Sequence, residues 1–183
     1  SVLVLEDLLT RSIPVSCVIT TPPSPAGRGL RMRNSPVFEC CRKHRLQSEQ
    51  PYDLRDEKFQ EFIQDFADHI FVVVSYGKIL PHGLLKLSQY PVVNLHPSLL
   101  PQWRGPSPIE TALMNGEAKT GVSIIALSNI IDGGDILGQK EVALDDMINA
   151  QALNQLLAHE GAELLARTLL TIFQGTTKAV PQD

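Results

Sequence analysis

The chain has 183 residues, with 20 acidic side chains against 16 Lys and Arg for a net charge of −4, and 43% of its residues are apolar. A chain of this length buries roughly two thirds of the surface its unfolded form exposes, enough for one core, and its ordinary apolar content excludes a disordered class. No apolar run approaches the ~20 residues of a membrane-spanning helix and the opening residues are not a signal peptide. Cys17, Cys40 and Cys41 form no Cys-x-x-Cys, so a disulfide framework or zinc site is not expected and a reducing compartment fits best.

In chain order, Ser1 to Leu9 is apolar at helical spacing, and Val15 to Ile19 reads as a buried strand. Thr21 to Ser35 is rich in Pro, Gly and Arg and reads as a loop. Helices are predicted for Val37 to His44 and for Asp56 to Phe66, where Asp56 stands at the capping position. Ile70 to Val74 is a continuous, largely β-branched run of the kind found in parallel sheets, and it ends at Ser75-Tyr76-Gly77. A short helix after Pro81, a strand at Val92 and a helix from Ser107 to Met114, with Pro108 in its first turn, come next. Gly121 to Leu127 and Ile136 to Val142 read as strands on either side of Asp132-Gly133-Gly134-Asp135, and Ala150 to Phe173 as a long amphipathic helix. This alternation predicts one α/β domain with a mostly parallel sheet.

Several familiar devices are missing. Gly27-Arg28-Gly29 has Met32 where a dinucleotide-binding loop needs its third glycine, and no phosphate-binding Gly-Lys-Ser/Thr loop exists. The five histidines show no metal-ligand spacing such as His-x-x-x-His, so no metal is expected. No nucleophile elbow surrounds Ser98, which reads as structural rather than nucleophilic.

The chemistry concentrates in Asn94-Leu95-His96-Pro97-Ser98-Leu99-Leu100-Pro101-Gln102-Trp103-Arg104-Gly105 and in the Asp132 turn. Asn94 and His96 stand two residues apart at a strand end, which points both side chains to one side, and Pro97 and Pro101 then force an irregular loop. Asn offers a fixed neutral N–H donor, His donates or accepts according to its protonation, and a carboxylate holds an imidazole in place. The alternative is a capped strand end with a satisfied polar pair. Asp132-Gly133-Gly134-Asp135 also suits an ordinary tight turn, the reading favoured for Asp135.

These two segments, together with Ser24 to Gly29, resemble the signature of the formyltetrahydrofolate-dependent formyltransferases, and the likeness runs over the whole chain. Trp103-Arg104-Gly105 and Pro108 are most similar to the branch that acts on methionyl-tRNA. The resemblance implies a Rossmann-like open, mostly parallel sheet with helices on both faces. It also implies transfer of a formyl group from the co-substrate 10-formyltetrahydrofolate to the α-amine of initiator methionyl-tRNA, in support of translation initiation. Asn94 and His96 would serve the formyl oxygen, and Asp132 would orient His96 and assist proton transfer. Tyr76, Gly77, Ile79, Leu80, Ser98, Leu99, Leu100 and Pro101 would line the folate site, although Leu99 to Pro101 also suit a plug over the core. A bacterial cytoplasm or a mitochondrial matrix, and a monomer without membrane attachment, are expected.

Arg28, Arg31 and Arg33, followed by Arg42, Lys43 and Arg45, make a basic island in an acidic chain. Such runs are usually solvated faces, yet long Gly-Pro loops with Arg also suit phosphate backbones. The resemblance implies that this loop meets the tRNA acceptor end through Arg28. Arg104 is read either as a further tRNA contact or as part of a surface staple. Other acceptors within the family are glycinamide ribonucleotide, amino sugars and water. A non-catalytic tRNA-binding module is the reading from another class, and the presence of Asn94, His96 and Asp132 argues against it. The family opens with a strand and a Gly-Thr-rich turn. Residues 1–178 are therefore expected to be a catalytic domain lacking its first strand, inactive alone, with 179–183 beginning a junction to an absent C-terminal β-barrel domain.

Overall fold

In the computed structural model, which describes residues 1–26, 30–145 and 147–183, side-chain capping fixes the starts of three of the six described helices. The helices are Val2–Thr10 (α1), Pro36–His44 (α2), Glu57–Gln64 (α3), His82–Leu85 (α4), Pro108–Met114 (α5) and Ala150–Phe173 (α6). Ser35 Oγ accepts from the Phe38 N–H at 3.1 Å, with Pro36 in the first turn of α2. Asp56 takes the predicted cap, accepting from the N–H groups of Lys58 and Phe59 at 3.1 and 3.2 Å. Asn149 does the same for α6, accepting from Ala152 N–H at 2.9 Å.

The strands are Val18–Ile19 (β1), Ser24–Ala26 (β2), Arg31–Arg33 (β3), Ser48–Glu49 (β4), Val72–Val73 (β5), Val93–His96 (β6), Lys119–Ala126 (β7) and Ile136–Ala143 (β8). The main sheet has the order β5-β6-β7-β8. Parallel pairing holds for β5 with β6, and for β1 with β4 in a separate two-stranded sheet, whereas β6, β7 and β8 pair antiparallel. The antiparallel β7-β8 pair follows from its connection, residues 127–135, which is shorter than the roughly dozen residues a parallel crossover needs. Thr21 to Ser35 is not the plain loop expected: Ser24–Ala26 pairs antiparallel with Arg31–Arg33. β1 and β5 are shorter than the apolar runs that contain them, with only Val18–Ile19 and Val72–Val73 in register with a partner strand.

Val93 and Leu95 of β6, Val122 and Ile124 of β7, and Leu153, Leu157 and Leu165 of α6 form the principal core, with Val4 and Leu8 of α1. A second cluster joins Leu54, Phe59, Ile63 and Leu84, with Tyr76 and Leu80 packed against it. The long helix approaches the sheet closely at Gly161, where a Cβ would stand 2.8 Å from Leu95 Cδ1. Leu157 is 1% exposed in the centre of this packing. Leu157→Ala should therefore cost about 2 to 5 kcal/mol, for the lost transfer energy and the cavity left behind, read as a lowered denaturant midpoint at constant slope.

Candidate active site

β6 delivers Asn94 and His96 opposite Ile125 and Ser123 of β7. Beyond His96 the chain leaves the sheet, and two polar residues of the neighbouring strands hold the loop that follows. Ser123 Oγ donates to Ser98 O at 2.7 Å and accepts from Leu100 N–H at 3.1 Å. Gln139 Nε2 donates to Leu100 O and to Ser123 Oγ, both at 2.9 Å. Neither residue figured among the sequence candidates. The available signal was a serine inside the apolar run Val122-Ser123-Ile124-Ile125, since a fully buried hydroxyl requires partners.

Asp132 joins the two segments. Its Oδ1 accepts from Asn94 Nδ2 at 3.3 Å and its Oδ2 from the Gly105 N–H at 3.0 Å. Oδ2 also lies 3.6 Å from His96 Nδ1, an ion-pair distance rather than a hydrogen bond. His96 Nε2 meets the Trp103 carbonyl at 2.9 Å. A carbonyl can only accept, so Nε2 carries a hydrogen in this arrangement. Trp103 and Asp132 both hold left-handed backbone, at φ 57° and 49°, as does Gly105 at φ 97°. Non-glycine residues adopt that region only where the surroundings fix them. His96 is 5% exposed and the Asp132 side chain 15%, so the group sits largely out of water while Asn94 stays partly accessible.

Asn94 has two amide hydrogens, and the contact with Asp132 uses one, leaving the other for a substrate oxygen. A neutral donor, a protonatable ring and a carboxylate within reach of both are the parts needed to stabilise charge on a carbonyl oxygen and move a proton.

The remaining sequence candidates divide. Ser98 is fully buried and donates to Gln102 O at 2.6 Å, and Leu100 is buried beneath the loop. Leu99 packs over Gly121, where a Cβ would stand 2.5 Å from Leu99 Cδ2, and Pro101 is exposed. Gly77 turns the backbone at φ 75°, and Ile79 is 88% exposed. Among the described residues the buried Tyr76 hydroxyl has no hydrogen-bond partner, and burial raises its pKa. Lys78 Nζ donates to Tyr52 O at 3.3 Å, at the rim of a hollow of about 490 Å³ lined by Glu49, Asp56, Phe59 and Phe62 among others. Arg31 and Arg33 are exposed on β3, while Arg28 lies outside the described residues. Arg104 donates through Nε and Nη2 to Gln182 Oε1 at 3.0 and 2.8 Å.

Among the described residues Glu6, Cys40 and His44 bring ligand atoms within 4.8 Å of one another, but Glu6 Oε1 there accepts from Lys43 Nζ at 2.9 Å. Burial, with Glu49 nearby, pushes the Cys17 thiol up to about 11, and burial raises Cys40 and Cys41 as well, so these thiols stay protonated at neutral pH.

The fold and this group together define an α/β protein with an Asn, a His and a carboxylate converging beside a strand end. The chain belongs to the formyl transferase family, whose model matches residues 3–169. It is 39% identical over 171 residues to the methionyl-tRNA formyltransferase of Ehrlichia canis (strain Jake), covering 92% of this chain and 56% of that protein. It is 36% identical over 183 residues to the methionyl-tRNA formyltransferase of Halalkalibacterium halodurans, covering 100% of this chain and 58% of that protein. The chain thus spans less than two thirds of the length of these relatives. In fold it resembles the crystal structure of a formyltetrahydrofolate deformylase from Pseudomonas syringae pv. tomato, with TM-score 0.77 at 20% identity over 100% of this chain and 63% of that one. No helix among the described residues is long and apolar enough to cross a membrane.

Proposed function

We propose that this chain carries the reaction centre of an enzyme that moves a formyl group from 10-formyltetrahydrofolate to the α-amine of methionyl-tRNA. The observation that carries the reading is the convergence of Asn94, His96 and Gly105 on the single carboxylate of Asp132. A binding module has no use for such a group. The similarity to two methionyl-tRNA formyltransferases favours that acceptor over small amines or water.

In this mechanism the free Asn94 N–H donates to the formyl oxygen as the amine attacks the formyl carbon and the oxygen takes on charge. His96 releases the Trp103 carbonyl and turns Nε2–H toward the same oxygen. Asp132 receives, directly or through water, the proton lost by the attacking nitrogen. A proton returns to N10 of the folate as the carbon–N10 bond breaks, so the proton count closes. The Tyr76 hydroxyl, without a partner among the described residues, and exposed Ile79, in the segment after β5, suit a ligand with polar edges and apolar faces. Arg28, Arg31, Arg33 and Arg104 are the proposed tRNA contacts.

Tetrahydrofolate release by the full chain tests the reading, measured with methionyl-tRNA, uncharged tRNA, glycinamide ribonucleotide, an amino-sugar nucleotide or no acceptor. Release that requires methionyl-tRNA is the expected result. Equal release with a small amine, or without any acceptor, would refute this acceptor. For the hairpin, the double substitution Arg31→Ala and Arg33→Ala should raise KM for methionyl-tRNA. It should also flatten its salt dependence by about one unit of log–log slope per lost phosphate contact, with folate binding unchanged. An unaltered salt series would leave β3 as a solvated face.

A further inference from the structure

We infer that Gln182 is a positioning residue for this reaction, clasping the turn that carries Asp132 to the loop that carries Gly105. The inference rests on the function proposed for Asn94, His96 and Asp132.

The Gln182 amide spends its entire hydrogen-bonding capacity on those two segments. Nε2 donates to the carbonyl oxygens of Asp132 and Gly134 at 2.9 and 2.6 Å. Oε1 accepts from Arg104 Nε and Nη2 at 3.0 and 2.8 Å. The orientation is unambiguous, because a flipped amide would set oxygen against two carbonyls and an NH₂ against a guanidinium. Backbone pairing holds the segment in place: Val180 and Ile136 exchange hydrogen bonds of 2.8 and 2.9 Å, adding residue 180 beside the start of β8.

Each arm of the clasp ends next to a group that fixes the Asp132 carboxylate. One arm holds the backbone of Asp132 itself, a non-glycine residue at φ 49°. The other holds Arg104, whose neighbour Gly105 donates its N–H to Asp132 Oδ2 at 3.0 Å. No hydrogen bond of Gln182 reaches Asn94 or His96 among the described residues, so its effect passes through the placement of Asp132.

The test compares Gln182→Met and Gln182→Glu in the full chain. Methionine keeps the length and loses every hydrogen bond, whereas glutamate keeps the acceptor toward Arg104 and opposes oxygen to the two carbonyls. Both should lower kcat by about tenfold and leave KM for 10-formyltetrahydrofolate within about twofold, the pattern of a misplaced group rather than a lost binding contact. Both should also speed hydrogen exchange of the Gly105 amide by about tenfold at an unchanged melting temperature. Unchanged kcat with unchanged Gly105 exchange would overturn the inference. So would a lowered melting temperature with faster exchange throughout β7 and β8, which marks a purely structural clamp. If the parent protein formylates no methionyl-tRNA, the proposed function fails while Gly105 exchange still decides the clasp.

Discussion

His96→Ala should lower kcat for formyl transfer by roughly 10² or more while leaving folate affinity within a few fold. The ring is almost wholly buried, so its removal empties a site next to Asp132 without exposing new binding surface. Its assigned work, donation to a developing oxyanion, exists only in the transition state, and a group of that kind moves kcat rather than KM. Asn94→Ala should cost a similar factor, on the order of 10² for one lost oxyanion donor. The two losses should not multiply, because both side chains depend on the same carboxylate and act as a unit. Single-turnover formylation of methionyl-tRNA beside equilibrium folate binding decides the matter. A His96→Ala enzyme with near wild-type turnover would remove the residue from the mechanism.

Gly134→Ala is expected to destabilise the Asp132 turn far more than Gly133→Ala. An added Cβ would overlap the Ala126 carbonyl oxygen, which belongs to the backbone at the end of β7 and cannot swing aside. Ala126 N–H donates to Asp135 O at 2.9 Å, so relief of the clash has to pull apart the closure of the hairpin. The cost should be about 3 kcal/mol, at the upper end for overpacking, with kcat falling by about 10² as Asp132 is displaced. Gly133→Ala is the control. Its Cβ would meet Ile130 Cγ2 at 2.5 Å and Ile130 Cβ at 3.0 Å, but Ile130 is 66% exposed, so rotation of its side chain relieves the closer contact. Thermal melts of the two variants should separate clearly, and equal destabilisation would contradict this account of the turn.

Much of this architecture is legible in the residues. Asp56 caps its helix, Pro108 stands in the first turn of α5, and α6 runs over the interval its periodicity marks, because each signal is local. The β2-β3 hairpin was not legible, since Pro25 and the arginines of β3 carry none of the apolar alternation that announces a strand. The antiparallel pairing of β7 with β6 is likewise set by long-range contact, on which an apolar run is silent. Within the candidate site, Asn94, His96 and Asp132 were readable from residue type and motif. Ser123 left only the signal of a hydroxyl inside an apolar run, and Gln139 and Gln182 left none, because each acts on a backbone carbonyl remote in sequence, and a carbonyl leaves no mark on the sequence.

The close seating of α6 on β6 ties durability to chemistry. Leu95 lies between Asn94 and His96 in sequence, and alternation along the strand sends its side chain the other way, against Gly161. Residues that anchor the core and the residues proposed for the reaction therefore interleave along one short strand. A partly opened form with α6 lifted away would lose the platform for both side chains of the proposed reaction, so that opening would inactivate and unpack the core together. The β2-β3 hairpin shares no strand with that platform, so on the proposed function a nick there would cost acceptor recognition while Asn94, His96 and Asp132 stay assembled.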